Sequence, residues 1–107
     1  MAGQGDVLDV ALHGEIDYTN ADLVGDRACH AIERDGPAVV RMDLAGVTFV
    51  DSSGIGVLVR VMKAARQAGA QYRVDGTTAP VYGQLQMTGL TDLFPVQEPP
   101  ATAAASA

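Results

Sequence analysis

The sequence predicts a single α/β domain, and three observations support that class. Short apolar runs without glycine or proline alternate with longer segments whose apolar residues recur at spacings of three and four, which are the patterns of strands and helices. Glycine or proline separates most of these segments. The chain has 107 residues, of which 48% are hydrophobic, enough for one compact core. Alternating strands and helices predict right-handed crossovers and a sheet sandwiched or half covered by helices.

The first strand and the first helix are predicted within residues 7–37. Residues 7–13 form an apolar-rich run that Gly14 is expected to end. Thr19, followed three positions later by Asp22, has the spacing of a capping box, which predicts the start of a helix. An Asp-Gly-Pro sequence at 35–37 predicts its end. The predicted buried stripe of this helix comprises Ala21, Val24, Ala28, Ala31 and Ile32.

A second strand and a second helix follow. Residues 38–44 are predicted as a short central strand, and residues 54–68 as an unusually apolar helix that Gly69 terminates. Two apolar stripes run along this helix, and the sequence leaves open whether both are buried or one docks a partner helix. The first comprises Ile55, Leu58, Val59, Met62 and Ala65; the second comprises Gly54, Val57, Val61, Ala64 and Ala68.

The C-terminal third is predicted to contain a strand at 70–75, a helix at 79–88 and a last short strand at 93–96. Pro80 suits the first turn of that helix, and Gly89 is expected to close it. Gly83 within it should cost about 1 kcal/mol relative to alanine. Residues 97–107 are proline, alanine and small polar residues, so we predict a folded domain over 1–96 and a disordered tail over 97–107.

Charge and composition restrict the partners. Thirteen acidic residues against seven basic ones give a formal charge of −6, which argues against binding to nucleic acid or to an anionic membrane. A protein partner with a basic face is compatible. The sequence has neither a signal-like N-terminus nor an apolar stretch of ~20 residues, which favours a cytoplasmic location. Cys29 is the single cysteine and is expected in or near the core.

The most informative segment reads Asp-Ser-Ser-Gly at 51–54, where an apolar run turns into a helix. The first N–H groups of a helix lack intrahelical partners and its N-terminus is electropositive, so a phosphate on a serine would be tolerated there. Gly54 and Gly56 are expected to leave the backbone accessible to a protein. The alternative from chemistry alone is that Asp51 and one serine merely cap the helix.

Three stretches together resemble the STAS-domain anti-sigma-factor antagonists. Residues 51–58 read Asp-Ser-Ser-Gly-Ile-Gly-Val-Leu, with Gly-Glu-Ile-Asp at 14–17 and Met-Thr-Gly-Leu at 87–90. The resemblance implies a STAS-like domain with a mixed central sheet of about four or five strands and about three to four helices. An additional edge strand of relatives is expected to be reduced to residues 3–5 or missing, because the N-terminus is short.

The resemblance also implies a function. In that family the second serine of the motif is phosphorylated by a partner that is both a serine kinase and an anti-sigma factor, which places the phosphorylation site at Ser53. The unphosphorylated protein would bind that partner and free a sigma factor, and a serine phosphatase would reset the switch. No catalytic residue, cofactor or metal is implied, and a monomer is expected. The expected surroundings of the phosphorylation site and partner surface are Asp17, Asp51, Ser52, Gly54, Ile55, Gly56 and Val57.

Two alternative functions fit the sequence less well. A serine hydrolase is disfavoured because the segment lacks a Gly-x-Ser-x-Gly elbow, and because His13 and His30 are expected to be ordinary surface or boundary residues. In the third helix, Tyr82-Gly83-Gln84 departs from the family pattern, so no partner contact is predicted for that helix. The stronger alternative is a non-switching STAS scaffold, or a nucleotide-binding subunit of a signalling or transport complex.

Overall fold

The computed structural model describes residues 2–4 and 6–99 and contains a four-stranded sheet with four helices. The sheet order is β1-β2-β3-β4; β1 is antiparallel to β2, and the other neighbours are parallel. The predicted α/β class with a mixed sheet is confirmed. The strands are β1 (Ala2–Gln4), β2 (Val7–Ile16), β3 (Val39–Val50) and β4 (Gln71–Asp75). The helices are α1 (Ala21–Asp35), α2 (Ser52–Gln67), α3 (Ala79–Met87) and α4 (Leu90–Leu93).

One face of the sheet supplies most of the core, because alternate strand residues point to the same side. Leu8, Val40 and Tyr72 are aligned across β2, β3 and β4, and all three are buried. The opposite face is polar. There the Arg41 guanidinium bridges Asp9 at 2.7 Å and Asp75 at 2.6 Å, and these hydrogen bonds raise the pKa of Arg41. This ion network keeps an otherwise open sheet face compatible with water.

Both central strands are longer than the sequence pattern predicted. β2 continues through Gly14 to Ile16, so the prediction that Gly14 ends the strand was wrong. Gly14 has a φ of +74°, and the pairing of β2 with β3 shifts register on either side of it. A glycine at a bulge lets a strand continue where a side chain would strain the backbone. β3 likewise extends past residue 44 to Val50, where it pairs with Ile16.

The first helix begins differently from the predicted capping box. Asn20 is the N-cap residue, and its side chain makes no cap hydrogen bond. Thr19 lies one residue before the N-cap, and its hydroxyl donates to Asp17 Oδ1 at 2.5 Å. The predicted end of the helix is confirmed: Gly36 is left-handed and its N–H donates to the Ile32 carbonyl.

The second helix buries residues from both of its apolar stripes. Val57 and Val61 of one stripe are as buried as Leu58 and Met62 of the other, because α2 contacts both the sheet and α1. Neither stripe is left as an exposed apolar face. Cys29 on α1 is partly buried against the core as predicted, and burial raises the pKa of its thiol.

The predicted last strand at 93–96 is wrong. The left-handed Gly89 starts the single-turn helix α4, and only Val96 forms an isolated bridge with Val74. The Phe94 ring packs edge-on against Tyr72, with ring centroids 5.0 Å apart. The end of the domain at residue 96 and the disordered tail remain predictions, and residues 100–107 lie outside the described part of the chain. The edge strand expected at residues 3–5 is present as β1, which covers Ala2–Gln4. Gly5 lies outside the described part of the chain.

Candidate functional site

The Asp-Ser-Ser-Gly segment forms the first turn of α2, directly after the carboxyl end of β3. Asp51 is the N-cap residue: its Oδ1 accepts hydrogen bonds from the backbone N–H groups of Ser53 at 2.8 Å and Gly54 at 3.1 Å. These bonds satisfy two of the donors that a helix start leaves without intrahelical partners. The expected capping by Asp51 is therefore present, and neither serine is the N-cap residue.

The two serines differ in exposure. Ser52, the first residue of α2, is exposed, whereas Ser53 is half-buried. The first turn of α2 contains no acidic residue after the N-cap, so the positive end of the helix dipole is offset only by Asp51. Ser53 is therefore accessible at an electropositive helix terminus and retains a defined backbone position.

Gly54 is required by close packing, and the expectation that it exposes the backbone was wrong. A Cβ at this position would lie 2.6 Å from Val50 Cγ1 and 2.7 Å from the Ile16 carbonyl oxygen. Only glycine lets the start of α2 approach the ends of β2 and β3 so closely. Gly56, by contrast, is exposed and a Cβ there would meet nothing within 4 Å.

Ile55 and Val57, the other expected surface residues on α2, also differ in burial. Ile55 is half-buried against the core, and Val57 is buried, with 4% of its surface exposed. Val57 therefore belongs to the packing of α2 in this structure, and its expected contribution to a partner surface is not supported by its exposure. Asp51, Ser52, Ser53 and Gly56 form the accessible part of the helix start.

The loop between β2 and α1 is held by its own side chains. Asp17 Oδ1 accepts hydrogen bonds from the hydroxyl and the backbone N–H of Thr19, and these bonds lower the pKa of the Asp17 carboxyl. Asn20 Nδ2 donates to the Glu15 carbonyl at 2.8 Å, and Asn20 Oδ1 accepts from the Asp17 N–H at 3.0 Å. Asp17 is thus fixed in a charged, outward-facing loop.

Two hydrogen bonds join the segments around the serines. The Asp51 N–H donates to the Ile16 carbonyl at 3.2 Å, which connects the end of β2 to the start of α2. Gln84 Nε2 of α3 donates to the Val50 carbonyl at 2.7 Å, one residue before Asp51. The structure therefore brings the Asp17 loop, the serines and α3 to the same end of the sheet.

Exposed apolar side chains occur on these same segments. Tyr18 in the loop is 80% exposed, Phe49 near the end of β3 is 48% exposed and Met87 at the end of α3 is 88% exposed. Phe49 is paired in register with Glu15, at the end of β2 that leads into the loop. Exposed large apolar side chains that share one end of a domain are typical of a protein-binding surface.

The histidines give no support for hydrolytic or metal chemistry. His13 and His30 are both exposed, as expected, and line a groove between β2 and α1. Within residues 2–4 and 6–99 no group of three or more histidine, cysteine or carboxylate side chains could hold a metal ion. Across the same residues, no helix combines the length and the apolar character that a membrane crossing requires.

Comparisons with known proteins identify the family. Residues 1–103 match the STAS domain. The chain belongs to the STAS domain family. It is 34% identical over 92 residues to the anti-sigma F factor antagonist of Paenibacillus polymyxa, a match that covers 86% of this chain and 79% of that protein.

Solved structures share the fold of this STAS domain. The anti-sigma factor antagonist SpoIIAA in its unphosphorylated form superposes with a TM-score of 0.70 at 14% identity, over 99% of this chain and 92% of that one. The STAS domain of a SulP transporter from Vibrio cholerae superposes with a TM-score of 0.72 at 20% identity, over 98% of this chain and 83% of that one. At these identities the structures establish the fold alone.

Sequence reasoning missed three contributors to this STAS domain site. Thr19 is predicted as part of a capping box and Asn20 has no predicted role, although both organise the Asp17 loop. Gln84 has no role predicted from the sequence, and its hydrogen bond to Val50 spans 34 residues of sequence. No local pattern marks such a contact, whereas the Asn in the loop could have been suspected from the tendency of this residue to bond nearby backbone groups.

Proposed function

We propose that this STAS domain is an anti-sigma-factor antagonist that is switched by phosphorylation of Ser53. The observation that carries the proposal is the half-buried Ser53 in the first turn of α2, in a chain whose curated relatives are named anti-sigma factor antagonists. Unphosphorylated, it would bind an anti-sigma factor that is also a serine kinase and would thereby free a sigma factor. The chain itself would catalyse nothing, and the kinase chemistry would belong to the partner.

The surroundings of Ser53 suit a binding surface that a phosphate can disrupt. Asp51 lies two residues away with its carboxylate on the Ser53 N–H, and Tyr18 and Phe49 present exposed aromatic rings at the same end of the sheet. A phosphate would add about 1.5 to 2 negative charges beside Asp51. In a close interface this charge would repel acidic partner groups and require desolvation, which favours release.

The helix start also explains how a phosphoserine could be accommodated in the free protein. The electropositive end of α2 would stabilise an exposed phosphate by about 0.3 to 1 kcal/mol. That gain is smaller than the few kcal/mol by which a misplaced charge weakens an interface, and a loss of about 3 kcal/mol corresponds to roughly a hundredfold in affinity. Phosphorylation would therefore change binding more than it changes folding, and a serine phosphatase could reset the protein. We expect this cycle in the cytoplasm, with the protein as a monomer.

The test compares the two adjacent serines. The purified protein is incubated with ATP and candidate anti-sigma kinases from the same cell, and intact and site-mapped mass spectrometry locates any phosphate. We expect one phosphate on Ser53, none in Ser53→Ala, and normal modification of Ser52→Ala. In binding assays Ser53→Asp should weaken capture of the kinase by about a hundredfold, whereas Ser53→Ala and Ser52→Asp should bind within about tenfold of the unmodified protein. Modification at Ser52, or equal binding by both aspartate variants, contradicts the proposal.

A second candidate is a non-switching STAS module of a transport or signalling complex. The likeness to the STAS domain of the SulP transporter favours it, since the same fold serves there as part of a larger protein. A stable complex that survives Ser53→Asp, in cells where Ser53 stays unmodified under every condition, would support this reading. Nucleotide binding by such a module would be detected by calorimetry with ATP and GTP in the absence of any partner.

A further inference from the structure

A groove of about 850 Å³ lies between α1 and β2, and neither Ser52 nor Ser53 lines it. Its floor is apolar and formed largely by Leu12, Ile16 and Val24. One wall is the stretch of β2 beyond Asp9, which is where the pairing with β1 ends. No strand among residues 2–4 and 6–99 pairs with the outer edge of β2 from Ala11 onward. The groove therefore combines an apolar floor with unpaired strand backbone.

The other wall is basic, in contrast to the rest of the molecule. Arg27 and Arg34 line it, against the single acidic residue Asp26, on a chain of formal charge −6. Asp26 is already paired with Arg60 at 2.5 Å, and Arg34 with Asp35 at 2.8 Å. Arg27 is the one arginine that makes neither a salt bridge nor a side-chain hydrogen bond within the described residues. The groove therefore presents a positive charge that the domain itself does not neutralise.

We propose that this groove binds a short, extended, acidic segment of a partner protein. An extended peptide can pair with the backbone of an open strand edge, and every second side chain then points toward α1, where the apolar floor and the basic wall lie. Carboxylates on that segment would reach the Arg27 guanidinium, which is suited to bidentate binding. The groove shares Ile16 and Asn20 with the surroundings of the Asp17 loop, but neither Ser52 nor Ser53 lines it, so the proposed binding does not require the serine switch.

The bulges in β2 restrict the length of the segment. The pairing of β2 with β3 shifts register near His13 and again near Gly14, so the edge is not a regular ladder. Such irregularity discourages continuous strand addition, including uncontrolled pairing between copies of the chain. A bound segment would therefore make only a few backbone hydrogen bonds, and its affinity would depend on the apolar floor and on Arg27.

The test uses two labelled peptides of equal length, one composed of glutamate and leucine and the other of lysine and leucine in the same order, with both residue types among the side chains that face α1. By fluorescence anisotropy we expect only the glutamate peptide to bind, and Arg27→Glu to weaken it about tenfold or more. Lys63→Glu is the matched control, because it makes the same charge change at an exposed position of α2 outside the groove. It should change binding less than about threefold. Bound peptide should also slow amide exchange between residues 11 and 16.

Three results would overturn the proposal. The first is equal binding, or no binding, of the two peptides up to millimolar concentration. The second is an equal loss of affinity in Arg27→Glu and Lys63→Glu, which would indicate a general charge effect. The third is a concentration-dependent dimer in sedimentation that Arg27→Glu abolishes, which would assign the groove to a second copy of the chain.

Discussion

The starts of α1 and α2 occupy equivalent places, each just beyond the carboxyl end of a parallel strand, yet they are built differently. The start of α1 follows a four-residue loop whose polar side chains bond one another, and its N-cap residue Asn20 makes no cap hydrogen bond. The start of α2 follows β3 with a single intervening residue, Asp51, which caps it. A glycine then packs it against both central strands.

The difference places Ser53, the proposed phosphorylation site, on a rigid support. Around Asp17 the hydrogen bonds are local and exposed, so the loop can adjust without disturbing the core. Around Ser53 the backbone is fixed by Asp51, by the contact of Gly54 with Ile16, and by Gln84 behind Val50. We expect changes at the start of α2 to alter stability more than changes at the start of α1.

The largest effect is expected from Gly54→Ala. The added Cβ would clash with Val50 and with the Ile16 backbone, so the free energy of unfolding should fall by about 3 kcal/mol. Chemical denaturation measures it. Gly56→Ala is the control two residues away: with open space around its Cβ it should stabilise the helix by about 0.5 to 1 kcal/mol. Similar losses at both positions would contradict the close approach of α2 to the strands.

Removing the cap of α2 should have the next largest effect. Asp51→Ala deletes the acceptor of the Ser53 and Gly54 N–H groups and should destabilise the protein by about 1 to 2 kcal/mol. Asn20→Ala should have a smaller effect, because the Asn20 side chain does not cap α1 and its two hydrogen bonds, from the Asp17 N–H and to the Glu15 carbonyl, stay within the loop region. The two variants are compared by thermal denaturation in the same buffer. An Asn20→Ala loss equal to or larger than that of Asp51→Ala would remove the distinction between the two helix starts.

The support from α3 is expected to contribute about 1 kcal/mol. Gln84→Met keeps the length of the side chain but leaves the Val50 carbonyl without its donor. Amide exchange at Ser53 and Gly54 should become faster, since the end of β3 is less restrained. Gln86→Met on the exposed side of the same helix should change neither quantity. Unchanged exchange in Gln84→Met would show that α3 does not hold the start of α2.

The smallest effect is a pH dependence of the Asp17 loop. Hydrogen bonds from Thr19 lower the pKa of Asp17 below its ordinary value of 3.8. Because the folded-state pKa is depressed, the contribution to stability is complete above 3.8 and is lost as the pH falls through the lower, folded-state pKa. An NMR titration that follows the Thr19 amide should show a midpoint below 3.8. Thr19→Ala should move the Asp17 pKa upward, and a midpoint already at the ordinary value would show that the loop bonds are not formed in solution.

Features that depend on neighbours along the chain could be predicted from the amino-acid sequence. Apolar spacing predicted α1 and α2, whereas Pro80 and Gly89 indicated the start and the end of α3. Gly36 likewise indicated the end of α1, and Asp51 could be identified as a cap from its position before a helical run. The proposal of Ser53 as the phosphorylation site also rests on a local pattern, the Asp-Ser-Ser-Gly motif at 51–54. These elements follow from backbone geometry and capping, which act over three or four residues.

Features that depend on residues far apart in sequence became visible only in the three-dimensional structure. The length of β2 and β3 is set by their pairing with each other, which carries both strands beyond the predicted ends. Gly54 is required by its contact with Ile16, and Gln84 reaches Val50 across 34 residues. Likewise, residues 93–96, predicted as a last strand, make a single bridge to β4 through Val96, because residues 90–93 form α4. Packing and pairing of this kind are decided by where segments meet in space, and no local pattern carries that information.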